Sequence, residues 1–334
     1  MNMRNKMKVR TYKNFWERNK KSNGYLLRKT AGDWAYRLIR AILVFGLIFL
    51  IVQPLLNKIS ISFMLEKDLY DSTVISIPKH ATLENYKLAM ELMDFKKALW
   101  NSVWVSLLVS LLQVAACTLV GYGFARFEFP LKKLWFGAVI LTIVIPPQVI
   151  SPSLHLHFRF FDIFGIIKLI RGEPLNLLSS ITPYMMLCAT CMGLKSGLYI
   201  YMIRQFFRGI PKDLEEAAYV DGCGKLRTFI RIMLPDAKPI VTSCFLFAFV
   251  WQWTDSYYTG LFMSGMKVLS RSLSGVATVL EKYWAAVYNV RPTTAYTQCE
   301  IATGMLLTLL PLLLLYLVAQ KGFVESLSQS GIKM

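Results

Sequence analysis

The chain has 334 residues, 55% of them hydrophobic, and a mean hydropathy of +0.43. That is more apolar side chain than one soluble core of this size buries, so composition excludes an ordinary soluble domain and points to a membrane. The net charge of +18 does not make the chain a nucleic-acid binder, because its basic surplus lies beside apolar runs, where it sets topology and meets anionic lipid.

In chain order, residues 1–40 carry 12 Lys and Arg, including Arg4, Lys6, Lys8, Arg10, Lys13, Arg18, Lys20 and Lys21. They form a basic arm suited to an anionic bilayer surface. The apolar run 41–57 exceeds the usual signal core of about 7–15 residues, and no A-x-A site follows it. It is expected to remain as a transmembrane anchor within 41–63. Residues 64–97 mix charges with Leu, Met and Tyr and are expected to form short helices on the outer surface.

Five further runs follow at 98–125, 134–154, 181–203, 239–261 and 295–320. Each is long enough for about 30 Å of hydrocarbon, which takes about 20 helical residues. They define a core over 98–320 with a tail at 321–334. Six spans put both termini on one side, and that side holds 24 of the 38 Lys and Arg. The positive-inside rule therefore predicts cytoplasmic termini.

The third span carries Pro146, Pro147 and Pro152. Proline removes a backbone donor and clashes with the preceding turn, so a kink or break is predicted. Broken backbone in hydrocarbon needs neighbouring protein or a wet cavity, which leaves a packing kink or a wall of a wet path. In the fourth span Lys195 stands between Gly193 and Gly197. A charge there must be paired, hydrated or able to snorkel, and the glycines permit a break or a close approach by another span.

The polar loop 207–237 opens with Ile210-Pro211-Lys212-Asp213-Leu214-Glu215-Glu216. Proline suits a first helical turn and the carboxylates face the positive end of the helix dipole, so a short helix is predicted to about Val220. Gly222 permits the positive φ of a sharp reversal, and a second helix should run from Lys225 to Pro235. The result is a small knob on the membrane surface, with Ala217 and Ala218 keeping one face flat and Glu216 offering a charge.

The sequence Glu216-Ala217-Ala218-Tyr219-Val220-Asp221-Gly222, followed at a fixed distance by Ile232-Met233-Leu234-Pro235, resembles the EAA loop of permease subunits in binding-protein-dependent ABC importers. The resemblance covers about 98–334 and includes Asn101-Ser102-Val103, Ala125-Arg126-Phe127, Arg204-Gln205-Phe206-Phe207-Arg208 and the terminal Gly322-Phe323-Val324-Glu325-Ser326-Leu327. These last motifs look like the carbohydrate branch. The resemblance implies an all-α integral membrane protein of the type-1 ABC importer permease fold, with six transmembrane helices and a cytoplasmic coupling helix. It implies Glu216, Ala217, Ala218, Asp221, Gly222, Ile232, Leu234 and Pro235 as the ATPase-coupling residues.

The implied partners are a second permease subunit, identical or homologous, two ATPase subunits, an extracytoplasmic sugar-binding protein and membrane lipid, with no nucleic acid. No cofactor is expected on this chain, since ATP and Mg would be used by the partner subunits. The cargo would be a sugar or oligosaccharide, the alternatives being a peptide or another solute or, from a different class, a membrane-embedded enzyme or sensor. The location would be the plasma membrane.

The fifth span continues with Trp251-Gln252-Trp253-Thr254-Asp255-Ser256-Tyr257-Tyr258. Rings stack on sugar faces and amides or carboxylates bind hydroxyls, though the same residues suit an interfacial aromatic belt. Lys195, Gln252, Trp253, Asp255 and Tyr257 are the candidate substrate-path residues, and Glu300 could pair with Lys195 if the helices meet. No nucleophile stands with a base and an orienting group, so no catalytic residue is expected. His155 and His157 lie on different helical faces and His80 in a loop, so no metal site is expected. Cys188-Ala-Thr-Cys191 has redox spacing in an apolar run, where thiols pack as small hydrophobes. Gly222-Cys223-Gly224-Lys225-Leu226 echoes a phosphate-binding loop but lacks its first glycine spacing, its Ser or Thr and a preceding strand.

Overall fold

The computed structural model describes residues 19–331, without the side chains of 319 and 321–331. Arg4, Lys6, Lys8, Arg10, Lys13 and Arg18 lie outside the described residues, as do the side chains of the Gly322 to Leu327 motif. The chain divides into two units, Met1–Ser60 and Ile61–Met334.

The first unit is dominated by α1, Tyr25–Ser62, whose last two residues belong to the second. It is longer than the run 41–57, because 25–40 contains no proline or strong turn signal and continues the same helix. Ile39, Leu43, Phe45, Leu50 and Ile51 are all exposed. A helix apolar around its circumference is solvated by hydrocarbon rather than water.

The second unit begins with α2 (Glu66–Tyr70) and α3 (Glu84–Leu92), the short helices expected between 64 and 97. Buried Asn85 donates to Ser62 O at 3.0 Å and Met64 O at 2.9 Å. The Asp68 carboxylate accepts the His80 N–H at 2.7 Å and lies 2.8 Å from His80 Nδ1. The His80 side chain and backbone hold this carboxyl below the ordinary aspartate value of 3.8. A carboxyl with a depressed folded pKa stabilises above its unfolded pKa, and that contribution disappears as pH falls through the folded value. Protection of the His80 amide, taken relative to its intrinsic exchange rate at each pH, is therefore expected to fall below the ordinary aspartate range, and Asp68→Asn should show the reduced protection already at neutral pH.

Helix α4 (Phe95–Arg126) is the central post. Ser102, Ser106 and Ser110 recur every four residues and are buried, the small-residue spacing that lets membrane helices approach closely. After it, α5 (Lys132–Val144) and α6 (Pro147–Arg159) meet at 103° across Ile145 and Pro146. The predicted proline break is there, with Pro147 in the first turn of α6, where a missing N–H leaves no bond unmade. A short α7 (Ile166–Arg171) leads to α8 (Thr182–Ala189) and α9 (Ser196–Gly209). The fourth predicted span is thus two pieces around a non-helical 190–195.

The polar loop 207–237 forms α10 (Asp213–Val220), α11 (Lys225–Thr228), a π turn at Phe229–Met233 and α12 (Leu234–Asp236). Then α13 (Lys238–Thr254) rises at 75° to the preceding segment. At 17 residues it is about 26 Å long, and the predicted fifth span ends early, with α14 (Tyr257–Phe262) as a separate piece. Helix α15 (Leu269–Tyr288) lies between the fifth and sixth predicted spans and buries Leu269, Val276 and Leu280. The chain ends in α16 (Thr294–Gly331).

Among the described residues three helices are long and apolar enough to cross a membrane, or up to five if each bent pair is one span. Apart from two isolated bridges, they contain no strand. The all-α architecture is as expected, while the count of six continuous spans is not reproduced. Hydropathy averages over a window and does not register a break inside it.

Candidate functional site

The helix–turn–helix knob over 207–237 is built locally and then bolted to α4. Lys212 O accepts the Glu215 and Glu216 N–H groups at 2.9 and 3.1 Å, starting α10. Its end is a Schellman cap: Cys223 N–H donates to Ala218 O at 2.9 Å, Gly222 N–H donates to Tyr219 O at 3.0 Å, and Gly222 has φ +79°. The second helix departs from the expected continuous form. Pro235 has no N–H for the α ladder, and Leu234 N–H reaches back to Phe229 O, giving the π turn.

Glu215 anchors the knob. Its Oε1 accepts the Tyr122 hydroxyl at 3.0 Å and lies 3.3 Å from Arg126 Nε, with the Arg126 and Glu215 side chains only 5% and 9% exposed. Arg126 Nη2 also donates to Ile210 O at 2.9 Å. The Tyr122 ring packs against Phe207 and Phe229 at centroid distances of 5.2 and 4.7 Å. The buried Arg126–Glu215 pair therefore ties α10, the loop start and the C-terminal end of α4 together. Sequence reasoning missed it because Glu215 and Glu216 are adjacent. The usable signal was that Glu215 and Ala218, three apart, share one helical face.

Of the predicted coupling residues, Glu216, Ala217, Asp221, Gly222 and Pro235 are exposed. Ala218 is buried, while Ile232 and Leu234 are half-buried, with Leu234 against the core cluster that includes Phe229 and Met233. The outer face of the knob also presents Val220, 87% exposed, and Leu226, 69% exposed. These apolar side chains were not singled out in advance.

The path candidates divide. Lys195 immediately precedes α9, with φ +63°, and its exposed side chain places Nζ 5.1 Å from the Trp251 ring. Cys191 is also left-handed, at φ +58°. Buried Gln113 of α4 holds this broken stretch by donating to Leu194 O at 2.6 Å and Ser196 Oγ at 2.8 Å. Gly197 allows the close approach read from sequence: a Cβ there would meet Thr142 Oγ1 and lie 2.8 Å from Val139 O of α5.

Tyr257 is exposed and its hydroxyl hydrogen-bonds Ser151 of α6. The other three candidates are buried in structural contacts. Trp253 donates Nε1–H to Thr308 O at 3.2 Å. Gln252 Nε2 donates to Thr259 Oγ1 at 3.4 Å. Asp255 accepts the Tyr258 and Thr259 N–H groups at 3.2 and 2.8 Å, capping α14. Glu300 is buried and forms no ion pair with Lys195. No cluster of three metal-ligating side chains occurs among the described residues.

The profile of the binding-protein-dependent transport system inner membrane component family matches residues 117–328, most of the chain and all of the knob. The chain belongs to that family. This permease is 24% identical over 288 residues to the arabinooligosaccharides transport system permease protein of Halalkalibacterium halodurans, covering 85% of this chain and 92% of the relative. It is 26% identical to the trehalose transport system permease protein of Mycobacterium tuberculosis, with 77% and 84% covered. It is 27% identical to the sn-glycerol-3-phosphate transport system permease protein of Yersinia enterocolitica, with 71% and 74% covered. Its fold matches a chain of a bacterial ABC transporter involved in the import of the acidic polysaccharide alginate, with a TM-score of 0.65, 15% identity and coverage of 87% and 97%.

Proposed function

We propose that this permease is the membrane subunit of an ATP-driven importer for a sugar or oligosaccharide, with α10 and its glycine turn as the coupling helix. The observation that carries the reading is the Glu215 anchor. A knob fixed to α4 by a buried carboxylate transmits displacement to the helix around which α9 and α13 pack. Its exposed Glu216, Ala217, Val220, Asp221 and Leu226 form the face that meets the ATPase.

A second permease subunit completes the path, two ATPase subunits bind beneath with ATP and Mg, and an external sugar-binding protein delivers cargo. Both termini lie in the cytoplasm of a plasma-membrane protein. The domains are the basic arm 1–40, the first transmembrane helix 41–63, the outer segment 64–97, the core 98–320 with its coupling loop 207–237, and the tail 321–334. The relatives named for arabinooligosaccharides and trehalose support a saccharide cargo. Driving such an equilibrium from 1:99 to 99:1 takes about 5.5 kcal/mol, so the coupling contact must be stiff.

Gly222→Val and Glu216→Arg test this reading in membranes containing the whole transporter. The first strains a positive-φ turn by about 1–2 kcal/mol, and the second reverses an exposed charge. Uptake and ATPase co-purification are expected to fall sharply in both, with the chain still inserted. Normal uptake by both variants would overturn the proposal.

A further inference from the structure

The broken fourth span exposes a lysine where hydrocarbon is expected. Nine residues separate Lys195 from Arg204, the first charge toward the C-terminal end of α9, about 13.5 Å of helix, which places it inside a core of about 30 Å. Among the described residues no carboxylate forms an ion pair with it, and its charge rests on the Trp251 ring at 5.1 Å. A lysine at this depth that faced lipid would be costly, so it faces water or protein. The surrounding backbone agrees, because left-handed residues at 191 and 195 are tolerated in a membrane only beside protein or a wet cavity.

The two acidic groups of the neighbouring spans are withdrawn from this face. Asp255 is buried and both its oxygens are engaged in capping α14. Glu300 is fully buried in α16. Meanwhile the exposed residues of α13 and the start of α14 include Trp251, Thr254 and Tyr257. The exposed pair of Lys195 and Trp251 therefore combines a cation with an aromatic ring, with no competing carboxylate from either acid.

Resting on the transport reading above, we infer that this face receives an anionic saccharide. The Lys195 ammonium binds its carboxylate or phosphate, while the Trp251 ring covers an apolar sugar face. The cation–π contact parks the ammonium in the empty state, and an anionic group draws it away because a charge-assisted hydrogen bond is the stronger interaction.

The test uses the full-length permease in nanodiscs together with the subunits that co-purify with it. Tryptophan fluorescence is titrated with a hexuronate trisaccharide, a hexose phosphate and a neutral trisaccharide of matched size, with Trp251→Phe identifying the responding signal. At least one anionic probe is expected to bind about tenfold or more tightly than the neutral one, the scale of one charged hydrogen bond. Lys195→Gln should erase that preference and Lys195→Arg should retain it. Equal binding of neutral and anionic probes by the unmodified protein overturns the inference without any variant, as does an undiminished preference in Lys195→Gln. Failure of the transport reading is seen separately in the Gly222 experiment, which uses none of these probes.

Discussion

Glu215→Ala is expected to release the knob from α4 and abolish coupled uptake. The change removes the acceptor of the Tyr122 hydroxyl and leaves the Arg126 guanidinium, whose side chain is only 5% exposed, without its ion-pair partner. Removing one member of a buried pair costs about 3–5 kcal/mol, because the remaining charge stays desolvated. Glu216→Ala, one residue away on the exposed face, should leave the melting temperature of the purified chain nearly unchanged. Combining Glu215→Leu with Arg126→Leu should recover much of the thermal stability, since no buried charge then remains. The double variant should still fail in uptake, because the bond that carries displacement is absent. Melting behaviour in detergent and uptake in vesicles separate these roles, and a Glu215→Ala chain that melts like the unmodified protein would refute the anchor.

Gly197→Leu is the second large effect. The α9 backbone at Gly197 is so close to α5 that even a Cβ would lie 2.8 Å from Val139 O and collide with Thr142 Oγ1. A backbone carbonyl cannot swing aside as a flexible side chain can, so α5 and α9 must separate. Overpacking of this kind typically costs about 1–3 kcal/mol, and a whole leucine lies at or above that range. The displacement should also pull Ser196 away from Gln113, whose bond to Ser196 Oγ is 2.8 Å. Lower thermal stability and loss of uptake are both expected, with Gly197→Ala intermediate. Gly209→Leu provides the control, because nothing lies within 4 Å of a Cβ there.

The parts of the knob legible in advance were those written in neighbouring residues. Pro211 and three carboxylates announce the start of α10, and Gly222 announces its reversal, since turn geometry depends on a few adjacent dihedral angles. The break at Pro146 was readable for the same reason. The capping role of Asp255 was also local: Tyr258 and Thr259, three and four positions on, supply the N–H groups it accepts. Helix α15 was overlooked because its buried residues Leu269, Val276 and Leu280 make an amphipathic stripe, too polar overall for a span.

From composition, apolar runs and one spaced motif, the sequence alone determined a helical membrane chain, its permease resemblance and the place of the helix–turn–helix knob along the chain. Tertiary structure decided which of two adjacent glutamates is buried, which path candidates are exposed, and that the fourth span breaks at 190–195 beside Lys195. The physical reason is range. Hydropathy and turn chemistry act within a few residues, whereas the Glu215 anchor requires Tyr122 and Arg126 from 93 and 89 positions away, and the break is held by Gln113 on another helix.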